Sequence, residues 1–194
     1  MKIGLLGGTF NPIHFGHLIN AEVIRSAFSL DKIIFIPSKS PVHKELAGNV
    51  SAEDRFNMVK LSIQGNEGFR ISSIEIDRDS PSYTIITLKE LKKTYPHSSL
   101  FLIIGDHYFN EIDKWKDSEE IMQLVQIIVM RRSVEKIIPD ELIIAKSNAI
   151  IAENPVIEIS STSIRERIKS GKSIRYQVPP VVIDYIREKG LYKN

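Results

Sequence analysis

Along this chain, short runs of consecutive apolar residues alternate with stretches in which apolar positions recur every three or four residues. KIGLL (Lys2–Leu6), KIIFIP (Lys32–Pro37), SLFLIIG (Ser99–Gly105) and VQIIVM (Val125–Met130) are the apolar runs. Each predicts a strand buried on both faces. RISSIEI (Arg70–Ile76) alternates and predicts another strand, and weaker strand patterns lie at Ala149–Ala152 and Pro155–Ile159. Leu18, Ala21, Ile24 and Phe28 share one face of a helix predicted from Gly16 to Phe28. Ser51 and Asp54 resemble a capping box and open a helix through about Ile63. Thr84 is placed to cap a helix carrying Ile85, Leu88 and Leu91. Two helices close the chain, Thr162–Ser170 and Pro180–Lys189, the second with proline at its first turn and Gly190 at its stop. RRSVEKIIPDELIIAKS (131–147) is the least regular stretch and predicts an exposed connection.

Alternating strands and helices with uniformly apolar strands predict an α/β fold, a doubly wound parallel sheet with helices on both faces. The 194 residues suit one domain over 1–194, its C-terminal part from about 160 to 194 helical. Composition narrows the chemistry. There is no cysteine, so disulfides and thiolate chemistry are excluded. Basic and acidic residues nearly balance, 26 against 24, which gives no sign of a nucleic-acid or membrane partner. Neither a basic-then-apolar leader nor a membrane-length apolar run is present, so a cytoplasmic location is expected. Homo-oligomerisation is left open.

The chemistry concentrates in GGTFNPIHFGH, Gly7–His17, directly after the first strand. In open α/β sheets ligands bind beyond the carboxyl ends of strands. Glycines there let the backbone approach a ligand, and the helix starting near Gly16 offers unpaired N–H groups to an anion. The spacing of Gly4, Gly7 and Gly8 does not make a dinucleotide fingerprint. GKS at Gly171–Ser173 lacks the upstream glycine of a P-loop, because Glu166 stands there, and it reads as a helix end. His14 and His17 are three apart and could sit on one metal ion, but no cysteine or nearby carboxylate completes a ligand set. An ordinary turn is the third reading. A phosphate cradle in which two imidazoles donate to phosphoryl oxygens suits the pattern best.

T-x-x-x-x-H-x-G-H, here Thr9–His17, together with ISSTSIR, Ile159–Arg165, resembles the paired signatures of the HxGH nucleotidyltransferase superfamily, which has a Rossmann-like fold. Within it the chain most resembles bacterial nicotinate-nucleotide adenylyltransferase. The similarity extends through PSKSPVHK (Pro37–Lys44), SPSYTIITLKEL (Ser80–Leu91), IIGDHYFNEIDKW (Ile103–Trp115) and VPPVVIDYIREKGLY (Val178–Tyr192). The resemblance implies transfer of the adenylyl group of ATP to nicotinate mononucleotide, with Mg²⁺ assisting, giving nicotinate adenine dinucleotide and pyrophosphate in NAD biosynthesis. The alternatives are nicotinamide mononucleotide or another phosphate ester as acceptor, or a non-catalytic adenine-nucleotide-binding protein.

It also implies residue roles. His14, His17 and Arg165 serve catalysis, with His17 nearest the developing charge. Gly7, Gly8, Thr9, Phe10, Ser161 and Thr162 join them in holding ATP. Lys44, Thr84, Asp106 and Trp115 bind nicotinate mononucleotide, Trp115 by stacking on the pyridine ring. Each has a plainer reading: Ser163 with Glu166 also makes a capping box, Thr84 reads as a plain N-cap residue, Lys44 with His43 as a solvated basic loop, and a lone tryptophan as a core residue. The chain departs from the family pattern in four places. Asp106 comes one residue early with His107 in the usual acid position, Arg131-Arg132-Ser133 replaces an R-P-G turn, Asn11 replaces the commoner aspartate, and Val42 replaces the second proline of the Pro37–Lys44 loop.

Overall fold

The computed structural model describes residues 1–39, 49–132 and 141–193. In chain order they form β1 (Lys2–Gly8), α1 (Phe15–Ala27), β2 (Lys32–Pro37), α2 (Ala52–Ser62), β3 (Phe69–Ile71), α3 (Thr84–Thr94), β4 (Ser99–Gly105), α4 (Asp106–Phe109), α5 (Ser118–Leu124), β5 (Gln126–Met130), α6 (Glu141–Ser147), β6 (Ile150–Ile151), α7 (Ser161–Lys169) and α8 (Pro180–Lys189). A 3-10 turn at Ile112–Lys114 links α4 to α5. Among these residues the strands make one parallel sheet in the order β3-β2-β1-β4-β5-β6. This confirms the predicted doubly wound, Rossmann-like α/β fold.

Side chains alternate across each strand, so the central strands β1, β2, β4 and β5 feed two cores. Ile3 and Leu5 join Ile34, Ile36, Leu102, Ile104, Ile127 and Val129 under α3, α5 and α6. Leu6 joins Ile33, Phe35, Ile103 and Ile128 under α1, α2, α7 and α8. A Cβ on Gly4 would come within 2.9 Å of Leu30 and 3.0 Å of Ile103, so this second core closes directly on the β1 backbone. The chain winds outward from β1 in one direction and from β4 in the other. Their carboxyl ends therefore flank the crevice where such sheets bind ligands.

Local signals explain most boundaries. Ser51 Oγ accepts from the Asp54 N–H at 3.0 Å while the Asp54 carboxylate accepts from the Ser51 N–H at 3.0 Å, a complete capping box. Gly190 takes φ +64° and stops α8, and Gly171 at φ +65° follows the end of α7, so GKS is a helix end.

Three expectations need correction. The strand predicted over Arg70–Ile76 pairs only at Phe69–Ile71; the Ile76 and Asp77 N–H groups then bond back to the Ser73 carbonyl, and this turn buries Glu75 against Thr87. No strand forms at Pro155–Ile159. The Asn154 side chain both accepts from the Arg131 N–H and donates to its carbonyl, each at 2.9 Å, in place of a ladder pair, and Pro155 has no N–H to continue one. Within 131–147, Glu141–Ser147 is helical and buries Ile143 and Ser147 rather than forming an exposed connection.

Candidate active site

A cavity of about 660 Å³ opens at the carboxyl ends of β1 and β4. Its first wall is the end of β1 and the loop after it. That loop is held by its carbonyls: Gly8 O accepts from the Ser38 N–H at 3.0 Å, Thr9 O from Arg55 Nη1 at 2.7 Å, Asn11 O from Arg165 Nη1 at 2.8 Å and Pro12 O from Ser161 Oγ at 2.8 Å. Carbonyl oxygens pinned to donors from β2, α2 and α7 are kept from an incoming anion. Arg55 is 0% exposed, and its Nη2 donates to the Lys39 carbonyl at 3.2 Å; burial lowers its pKa from the ordinary value. A Cβ on Gly7 would meet no protein atom within 4 Å, so its open side belongs to the cavity.

Phe10 sits at φ +48°, a costly backbone for a bulky residue. Its ring is wedged edge-on to His17, 5.1 Å between centroids, and against Phe35 at 5.9 Å. His14 is the N-cap of α1, and its ring stacks on His17 at 3.6 Å and 25°. The His14 N–H donates to His17 Nδ1 at 3.3 Å, which puts the neutral His17 proton on Nε2. Gly16 makes room for this stack, because a Cβ there would lie 3.0 Å from His14 Nδ1.

His17 lines the cavity, whereas His14 lies behind it, 3% exposed and with neither ring nitrogen hydrogen-bonded. Burial first, and the Arg132 charge second, lower the His14 pKa from 6.5 to about 3. Burial, then His14, then Arg132 hold His17 well below its usual range. Both imidazoles are therefore neutral at physiological pH.

The remaining predicted residues separate cleanly. Ser161, Thr162 and Arg165 at the start of α7 share the cavity with Gly7, Gly8, Thr9, Phe10 and His17, although they lie about 150 residues away in sequence. The α7 cap is Ser160, whose Oγ accepts from the Ser163 N–H at 3.1 Å, so the Ser163–Glu166 box does not form. Thr84 and Trp115 line the opposite end, and Trp115 also packs partly against the core. Thr84 is the first residue of α3 rather than its cap; Tyr83 precedes it without capping by side chain. Asp106 lies off the cavity, 2% exposed, its oxygens accepting from the His107 N–H at 2.8 Å and the Arg132 N–H at 3.2 Å. It ties β4 to the chain after β5 and so aims Arg132, while His107 is exposed at the surface. Lys44 and His43 lie outside the described residues.

Several wall residues had no sequence assignment: Tyr83, Tyr108, Lys114 and Lys116, with Ser38 and Ser82, whose buried hydroxyls lack partners; Arg132, from the stretch that replaces the R-P-G turn, joins them. Lys116 Nζ sits 4.7 Å over the Tyr83 ring. A Cβ on Gly105 would lie only 2.5 Å from Arg132 Cδ, so glycine at that position admits the arginine. Arg55 was legible in principle, since it shares an inward helical face with Met58 and Val59 at i+3 and i+4.

Residues 5–167 match the family described as cytidylyltransferase-like. A "Probable nicotinate-nucleotide adenylyltransferase" of Desulfitobacterium hafniense is 40% identical, covering 99% of this chain and 96% of that protein. One of the same name from Caldicellulosiruptor saccharolyticus is 42% identical over the full length of both. Nicotinic acid mononucleotide adenylyltransferase of Plasmodium falciparum, in a structure with NaAD, superposes with a TM-score of 0.81 at 21% identity, covering 98% and 97% of the two chains, and so shares the fold. With a family match over most of its length and relatives matched over nearly their full length at 40% and 42% identity, this chain belongs to the cytidylyltransferase-like family and, within it, to the nicotinate-nucleotide adenylyltransferases.

Proposed function

We propose that the protein joins nicotinate mononucleotide to ATP, forming nicotinate adenine dinucleotide and releasing pyrophosphate. The observation that carries this is one cavity with two unlike ends. At one end stand Gly7, Gly8, Thr9, His17, the first turn of α7 and Arg165, a set of backbone and side-chain donors suited to a triphosphate. At the other stand Tyr83, Tyr108 and Trp115, flat apolar surfaces suited to an aromatic ring, beside the α3 N-terminus and Lys116. That helix start has no side-chain cap and no acid in its first turn, so its N–H groups and the lysine favour a ring carrying a carboxylate. The full-length relatives and the NaAD-bound structural neighbour carry names that fit both ends.

The mononucleotide phosphate oxygen attacks the α-phosphorus of ATP. The new P–O bond forms as the bond from the α-phosphorus to the β-phosphate oxygen breaks, and pyrophosphate leaves with that electron pair. No covalent enzyme intermediate is required, so the protein's contribution is alignment and charge stabilisation. His17 Nε2–H donates to the phosphoryl oxygens, with His14 stacked behind it. Arg165 and Thr162 hold the leaving phosphates, and Arg132 adds positive potential between the ends. Among the described residues no group of three or more histidines and carboxylates could hold a metal ion. A divalent cation such as Mg²⁺ would arrive on the triphosphate, and none of the steps above depends on a protein-bound metal. None of the described helices is long and apolar enough to cross a membrane.

The test is incubation with ATP, Mg²⁺ and either nicotinate or nicotinamide mononucleotide, following pyrophosphate and dinucleotide. The acid form is expected to have the higher kcat/KM. Absence of dinucleotide from both forms would overturn the reading, and preference for the amide would overturn its acceptor.

A further inference from the structure

Asn11 lines the cavity but is assigned no role in the reaction above. Its side-chain oxygen is held by the far end of the chain. Tyr192 Oη donates to Asn11 Oδ1 at 2.7 Å, a buried bond across 181 residues. Tyr192 is 0% exposed, three residues beyond the end of α8. Its backbone stands at φ +64°, a left-handed conformation that is unfavourable for an aromatic residue and persists only where surroundings enforce it. Two contacts enforce it here: the hydroxyl bond, and the Tyr192 N–H donating to Asn49 Oδ1 at 3.2 Å. The ring also lies close enough to Arg55 and Arg165 for both charges to act on its hydroxyl.

Those two arginines hold the same loop. Arg55 Nη1 takes the Thr9 carbonyl and Arg165 Nη1 takes the Asn11 carbonyl, at 2.7 and 2.8 Å. Asn11 is thus gripped twice, by side chain from Tyr192 and by carbonyl from Arg165. Arg165 completes its own placement with a bond from Nη2 to Thr162 Oγ1 at 3.2 Å. A change in the Asn11 side chain therefore reaches Arg165 through one residue.

We propose that Tyr192 is a positioning residue for ATP: its hydroxyl, through Asn11, sets the loop after β1 and the guanidinium of Arg165 in the geometry that receives the triphosphate. The proposal rests on the triphosphate end assigned above. A purely structural tyrosine would affect only stability. A positioning tyrosine affects one substrate and leaves the other alone, because Trp115 and Thr84 stand at the opposite end of the cavity and share none of these bonds.

The experiment compares the full-length protein with Tyr192→Phe, which keeps the ring and removes the hydroxyl, and with Leu191→Ala, which damages the core next door and leaves the hydroxyl in place. ATP affinity is read by calorimetry and KM for each substrate by turnover. Tyr192→Phe is expected to weaken ATP about tenfold, the scale of one buried hydrogen bond, with the mononucleotide KM changed less than twofold. Leu191→Ala is expected to lower the melting temperature more than Tyr192→Phe does, with ATP affinity unchanged. Unchanged ATP affinity in Tyr192→Phe, or equal loss for both substrates, or equal loss of ATP affinity in Leu191→Ala, overturns the proposal. A wild-type protein that binds ATP without making dinucleotide would overturn the acceptor assignment alone, and the calorimetric comparison would still decide the role of Tyr192.

Discussion

His14→Leu should make the protein more stable and less active, and the size of the gain should depend on pH. In the folded chain His14 is 3% exposed, with both ring nitrogens unpartnered and its pKa lowered to about 3 from 6.5. An unpaired buried polar group costs about 1–3 kcal/mol, so an apolar side chain of similar bulk is expected to gain about that much near pH 7, less any packing strain. The pH dependence is free of that packing uncertainty. A histidine with a depressed folded pKa contributes its full stability above the unfolded value. As pH falls below 6.5 the unfolded chain takes up a proton that the folded chain refuses until about 3, and stability is lost throughout that window. At about 1.4 kcal/mol per pH unit, the folded wild type should lose about 2 kcal/mol between pH 7 and pH 5 through His14 alone. His14→Leu removes that loss. Urea unfolding of both proteins at the two pH values measures it as a double difference. Turnover should fall at the same time, because the stack behind His17 is gone. Parallel pH dependences for the two proteins would refute the argument, whatever their absolute stabilities.

Other outcomes follow from the same geometry. His17→Gln should lower kcat roughly 10²–10³-fold with little change in melting temperature, the scale of one preorganised donor at developing charge; unchanged turnover would remove His17 from the chemistry. Gly7→Ala should fold normally, because its Cβ meets no protein atom, yet raise KM for ATP roughly tenfold or more by occupying cavity space. Gly4→Ala should do the reverse, losing about 1–3 kcal/mol against Leu30, Ile103 and Ile33 with KM unchanged; measuring melting and KM for the pair checks both. Lys116→Met should reduce the ratio of kcat/KM for the acid over the amide mononucleotide by roughly threefold to fivefold, a partly solvated charge pair of about 1 kcal/mol or less; an unchanged ratio would assign acid recognition to the α3 N-terminus alone.

The sheet was legible because buried parallel strands are written as unbroken apolar runs, and β1, β2, β4 and β5 appear where those runs stand. The end proposed for the triphosphate was legible because glycines, histidines and hydroxyls cluster in two short segments. What escaped the sequence was whatever depends on a partner far along the chain. The strand pattern at Pro155–Ile159 was genuine, but Asn154 pairs with the Arg131 backbone by side chain and ends the ladder there. Asp106 carried the right chemistry for a ligand contact, yet its carboxylate is consumed by two backbone N–H groups, one of them 26 residues away. Short helices such as α4 and α5 have too few turns for periodicity to show, and Phe109, Ile112 and Ile121 register as buried only once β4 and β5 are in place.

The protonation state of the histidine pair explains how the proposed phosphate site can be rich in potential donors and still tolerate being empty. Two imidazolium rings stacked at 3.6 Å beside Arg132 would repel each other and the arginine without any counter-charge. Burial removes that problem by keeping both rings neutral. A neutral ring is still a useful donor if its proton is on the correct nitrogen, and the His14 N–H fixes this by occupying His17 Nδ1 at 3.3 Å. The donor at Nε2 is thus preorganised at no electrostatic cost. When a triphosphate binds at the proposed site, this neutral Nε2–H donor is already in place, and its hydrogen bond strengthens as negative charge builds on the leaving pyrophosphate. Because the empty-site pKa of His14 lies near 3, kcat/KM for ATP, which reports the free enzyme, should show no acid limb from it between pH 5 and pH 7. A limb near 6.5 that disappears in His14→Leu would show that the ring is solvated and would overturn this account.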